Sequence, residues 1–97
     1  MEDLRYEWDE RENRANQRKH GVPFEEARTA FLDDYARRVS DPDHSIGEDR
    51  YILVGLSIQL RLLVVCHCYR ESERAIRIIS ARKADPTERR DYARWLP

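Results

Sequence analysis

The sequence predicts an α+β fold in which two N-terminal helices and one C-terminal helix pack on a mainly antiparallel β-sheet. Helix-start and helix-stop residues bracket the first part of the chain and its closing stretch, while apolar, β-branched runs joined by short links fill the region between. Length bounds the answer further. Ninety-seven residues supply one core, because a chain this short buries only about 60 to 70% of its unfolded surface. One domain over residues 1–97 is therefore expected.

The first helix is read from WDERENRANQRKHG. Asp9 stands as N-cap with Glu12 at capping-box spacing, and Gly21 ends the helix because glycine accepts the left-handed C-cap conformation. Glu7 with Arg11 and Glu10 with Arg14 have the favourable i, i+4 order. Only Trp8, Ala15 and Val22 recur on one face, which puts this helix on the surface. A second helix follows in PFEEARTAFLDD. Pro23 suits its first turn, Glu25 and Glu26 complement the helix dipole, and Phe24, Ala27, Phe31 and Leu32 form its buried stripe.

YARRVSD reads as the first strand and DPDHSIGED as a loop rich in turn residues. YILVGLS, RLLVVCHCYR and RAIRIISARK are three further strands, and their short links imply an antiparallel meander. In RLLVVCHCYR, Leu62, Val64, Cys66 and Cys68 share one face while Leu63, Val65, His67 and Tyr69 share the other, so this strand is central. In the last run Ile76, Ile78 and Ile79 are assigned to the core and Arg77 points outward. ADPTERRDYARWLP closes the chain as a helix, with Asp85 as cap, Pro86 at the first helical position and Glu88 in the capping-box place.

Charged residues make up 38% and apolar ones 40%, close enough to neutrality to exclude a disordered polyelectrolyte. MEDLRYEWDE lacks an apolar segment, and no apolar run approaches the roughly 18 residues of a membrane span, so a cytoplasmic protein with no membrane partner is expected. Cys66 and Cys68 sit on one strand face in poor geometry for a disulfide and read as buried thiols in a reducing compartment. Charge is unevenly spread: residues 1–48 carry net −5 and residues 74–97 net +4. A basic C-terminal quarter within a neutral total marks an anionic partner.

No Gly-rich phosphate loop, GxSxG or HExxH is present, and three glycines offer little for a nucleotide-binding turn, so no cofactor is expected. His67 points away from both cysteines and no paired ligand spacing exists, which argues against a metal site. The remaining chemistry lies in cations and neutral-pH titrators: Lys19, His20, Arg50, His67, Arg77, Arg82, Lys83, Arg89 and Arg90. Such a set suits RNA cleavage without metal, in which the ribose 2′-hydroxyl attacks the adjacent phosphorus. That reaction needs a base, a cation for the phosphoryl oxygens and an acid for the departing 5′-oxygen. Arg82 and Lys83 combine cations with backbone N–H groups at a helix start. The competing readings are a noncatalytic module that binds nucleic acid or protein through the basic face, and a structural subunit whose cations are solvated surface.

EWDERENRANQRKHGV with FEEA, DPDHSIGEDRYILVGLS, RLLVVCHCYR and RIISARKADPTERRDY occur in the order in which they occur in the BrnT toxins of bacterial type II toxin–antitoxin systems, and the chain resembles that family over almost its whole length. The resemblance implies a RelE-like ribonuclease that inhibits translation and is neutralised by a BrnA-like ribbon-helix-helix antitoxin, which alone binds operator DNA. Matched polar residues include Trp8, Asp9, Asn16, His44 and Glu48. The resemblance and the chemistry together assign catalysis to His20, Arg77, Arg82, Lys83 and Tyr92, and RNA or phosphate binding to Lys19, Arg50, Ser80 and Arg90. Two positions depart from the family, which usually has lysine where Glu12 stands and a capping serine where Pro23 stands.

Overall fold

A computed structural model describes residues 4–97; residues 1–3, the start of the acidic N-terminal stretch, lie outside the described residues. The chain forms β1 (Arg5–Glu7), α1 (Glu10–His20), α2 (Phe24–Ala27) running into a 3-10 turn (Arg28–Leu32), β2 (Arg37–Ser40) and a second 3-10 turn (Pro42–His44). It continues with β3 (Arg50–Leu56), β4 (Leu62–Arg70), β5 (Ala75–Lys83) and α3 (Pro86–Trp95). The strands make one sheet in the order β1-β5-β4-β3-β2.

The expected mainly antiparallel sheet is corrected to a mixed one. β2 with β3, β3 with β4 and β4 with β5 are antiparallel, but β1 lies parallel to β5, with Tyr6 opposite Ile76. Helix placement differs too, because a strand precedes α1. The second helix keeps α geometry only from Phe24 to Ala27 before tightening. There the Thr29 hydroxyl donates to the Glu26 carbonyl at 2.6 Å, a side-chain bond that competes with helical ones.

Helix ends follow the chemistry read from the sequence. Asp9 accepts from the N–H groups of Arg11 and Glu12, and Gly21 closes α1 at φ 71° with its N–H donating to Gln17. Asp85 and Glu88 form a reciprocal capping box at the start of α3. Such a cap is worth about 1 kcal/mol.

The core lies between one sheet face and the α1–α2 layer: Val22, Phe24, Ala27 and Ala30 meet Leu53, Leu63, Val65, Ile76, Ile78 and Ala81. Gly55 permits this closeness, since a Cβ there would stand 2.7 Å from the Ala30 carbonyl oxygen. The buried residues of α1 are Asn13 and Asn16 rather than apolar ones. Asn16 accepts from the Ala81 N–H at 3.0 Å and donates to the Ala81 and Val22 carbonyls, both at 2.8 Å. Its amide stands in for a neighbouring strand beyond β1 and satisfies backbone groups that would be costly to leave buried and unpaired. Among the described residues no helix is long and apolar enough to cross a membrane.

A basic cavity on the open face of the sheet

β4 sets the geometry of the site because its side chains alternate. Leu63 and Val65 enter the core, while Val64 and Cys66 line a cavity of ≈ 290 Å³ on the other face. Ile52, Ile79 and Ser80 complete its floor; Asp41, His44, Arg50 and Arg82 bring polar groups to it. A smaller cavity of ≈ 260 Å³ adjoins it and contains Glu12, Lys19 and His20, with Ile79 and Ser80 belonging to both.

A β-bulge makes this junction. Cys66 pairs with Ser80 while His67 pairs with Ile78, which leaves Ile79 as an extra residue in β5. Strand parity reverses there: Ile78 and Ala81 both face the core, whereas Ile79 and Ser80 both face the cavities. The expected core position of Ile79 is thereby corrected.

Arg82 reaches the main cavity, and its Nη1 and Nη2 donate to the two carboxylate oxygens of Glu88 at 2.8 and 2.9 Å. These hydrogen bonds hold the Glu88 carboxyl below its ordinary range. Arg50 sits at the start of β3, where its Nε is buried with no hydrogen-bond partner among the described residues, 4.0 Å from Glu48. A buried donor of this kind is costly unless a hydrogen-bond acceptor completes it. His44 lies in the turn before β3, and its Nδ1 is 2.9 Å from the Asp41 carboxylate. That carboxylate, at 13% side-chain exposure, is well shielded beside a largely exposed imidazole. It can select the tautomer with the proton on Nδ1, which leaves Nε2 as the basic nitrogen.

The residues picked out from sequence separate into groups. Arg50, Ser80 and Arg82 share the main cavity, and Lys19 and His20 share the adjoining one with Ser80. Lys83 does not join Arg82, because consecutive strand residues face opposite ways; its charge instead helps hold down the Glu26 carboxyl, whose main support is Arg61. Arg77 lines neither cavity and lies 3.7 Å from Glu12. Arg90 is exposed on α3. Tyr92 is buried and donates its hydroxyl to Asp33 at 2.6 Å; burial and that bond push its pKa up to about 12. That bond ties α3 to the segment between the first 3-10 turn and β2, and Tyr92 lines neither cavity.

Asp41 and His44 are not among the site residues assigned from the sequence. The signal that finds them is an acid and a histidine at i, i+3 in a Pro-containing turn, where the helical repeat places them on one side. His67 faces the opposite way, is fully buried against Phe31 and Tyr69, and has its pKa lowered to about 4 by burial. Burial likewise pushes both thiols up, Cys66 and Cys68 alike. Among the described residues no group of three or more His, Cys, Asp or Glu could hold a metal ion.

Comparison with known proteins gives matches to solved structures and to a family model. The fold is similar to the crystal structure of the ribonuclease toxin BrnT of Brucella abortus, with 22% sequence identity and a TM-score of 0.64, over 88% of this chain and 99% of that one. No curated protein matches significantly in sequence. Residues 8–88 match the family described as the ribonuclease toxin, BrnT, of type II toxin–antitoxin systems. That match spans more than half of the chain, which therefore belongs to the BrnT family of ribonuclease toxins.

Proposed function

We propose that the chain is a metal-independent endoribonuclease whose active site is the basic cavity on the open face of the sheet. Family membership implies an RNA substrate and an antitoxin partner. The observation that carries the site is the Asp41–His44 pair opening onto the same cavity as Arg50 and Arg82. His44 takes the proton of the ribose 2′-hydroxyl, and its oxygen then bonds to phosphorus as the bond from phosphorus to the 5′-oxygen breaks. Arg50 and Arg82 face the phosphoryl oxygens, where charge grows in the transition state. His20, across Ser80 in the adjoining cavity, returns a proton to the departing 5′-oxygen. The products are a 2′,3′-cyclic phosphate and a free 5′-hydroxyl.

In this reading Lys19 contributes to the RNA path, while Arg77, Lys83 and Arg90 act from outside the cavity on the approach of the polyanion. Translation stops because RNA is cut in the cytoplasm, and a BrnA-like ribbon-helix-helix protein neutralises the toxin and carries the operator-binding activity. Labelled RNA incubated with the purified protein in excess EDTA tests the proposal. Cleavage to fragments ending in 2′,3′-cyclic phosphate supports it. Salt-sensitive retention of intact RNA would instead make the basic face a noncatalytic binding surface.

A further inference from the structure

We propose that Glu88 is a positioning residue for Arg82, locking the guanidinium so that one complete edge is presented to a substrate phosphate. The inference rests on the ribonuclease reading above and is carried by an accounting of donors. A guanidinium has five N–H groups in one plane. Nη1 of Arg82 faces Glu88 Oε1 at 2.8 Å and the Lys83 carbonyl at 3.3 Å, and Nη2 gives one hydrogen to Glu88 Oε2 at 2.9 Å. Among the described residues, the Nε–H and the second Nη2–H have no acceptor. Those two are adjacent on one edge, the fork that matches two oxygens of a phosphate, and Arg82 is on the wall of the main cavity.

Glu88 is itself fixed. Its Oε1 also accepts from the Asp85 N–H at 2.8 Å, and its own N–H donates to Asp85 Oδ1 at 2.8 Å. The capping box that starts α3 is thus the bracket on which Arg82 is mounted. A long side chain at a strand end, ordinarily free to sample many rotamers, is held by two charge-assisted bonds to a helix terminus. Orientation has a cost in attraction, because the Glu88 carboxylate opposes an incoming phosphate. Arg50 supplies a second cation in the same cavity. Glu88 should therefore act on turnover more than on RNA affinity.

Glu88→Gln separates these effects. Glutamine serves in a capping box as glutamate does, but it offers a single acceptor to the two Arg82 groups and carries no charge. The expected result is turnover lowered about tenfold, consistent with the sensitivity of such reactions to misplacement. Affinity for an uncleavable 2′-deoxy oligonucleotide should be unchanged or tighter, and the melting temperature near that of wild type. Asp85→Ala removes only the acceptor of the Glu88 N–H and keeps the residue-85 N–H that holds Glu88 Oε1, so Arg82 stays mounted and turnover should remain within about twofold of wild type, the loss of the cap acting on helix stability. Wild-type or faster turnover in Glu88→Gln overturns the proposal. Should the wild-type protein leave RNA intact, the ribonuclease reading falls, and nitrogen-15 NMR of the Arg82 guanidinium decides the positioning claim alone. Slow rotation in wild type that is lost in Glu88→Gln supports it; fast rotation in wild type overturns it.

Discussion

The two faces of the sheet are built from alternate residues of the same strands, yet they treat polar groups in opposite ways. On the helix-covered side, Glu26 receives Arg61 Nε at 2.9 Å and the Ser57 hydroxyl at 2.7 Å, and Asn16 completes the Ala81 peptide. On the open side, Arg50 Nε is buried with no hydrogen-bond partner among the described residues and Glu48 no nearer than 4.0 Å, Arg82 keeps a donor edge unused, and His44 is largely exposed. Polar groups that serve stability satisfy one another, because an unpaired buried one costs about 1–3 kcal/mol. Polar groups that serve a ligand stay incomplete until it arrives.

The sharpest way to test this contrast is to break the packed side. Glu26→Ala leaves Arg61 and Ser57 without their acceptor and should lower stability by about 4 kcal/mol, the scale for breaking a buried ion pair. Urea unfolding measures the loss, and RNA cleavage per folded molecule should be unchanged because Glu26 lies across the sheet from the cavity.

Next in size is an acid effect at His67, whose Nε2 is buried on the packed side with no hydrogen-bond partner among the described residues. Burial lowers its folded pKa to about 4, below the unfolded value of about 6.5. Below that value the unfolded chain takes up a proton that the folded one refuses. Stability is therefore complete above about pH 6.5 and is lost as pH falls through 4, by roughly 3 kcal/mol from this group. Urea titrations of wild type and His67→Phe across that window should show a shallower acid loss in the variant.

Much of the fold was legible because its signals are local. Asp9, Gly21, Asp85 and Glu88 act within one helical turn, and alternation along Leu62–Tyr69 assigns two faces correctly. β1 was not legible, since Arg5–Glu7 are extended only through pairing with β5, far along the chain. The same limit applies to the site. Arg50, Ser80 and Arg82 were identifiable as cations and polar groups at strand positions. The bulge at Ile79 and the engagement of Tyr92 by Asp33 depend on tertiary packing that no short pattern records. Strand alternation alone separates Lys83, opposite Leu63, from Arg82, opposite Val64, so their adjacency in sequence does not make them neighbours in the site.

The smallest expected effect on stability accompanies the largest expected loss of function. His44 is 68% exposed at its side chain, so His44→Ala should alter unfolding by less than about 0.5 kcal/mol, as surface substitutions do. Its loss should slow RNA cleavage by about 100-fold, the low end of the range for a general base. Single-turnover cleavage by folded His44→Ala, measured beside wild type in EDTA, tests the open-face assignment most directly. A fall of that size with an unchanged unfolding curve is predicted; cleavage at the wild-type rate would contradict the placement of the active site in this cavity.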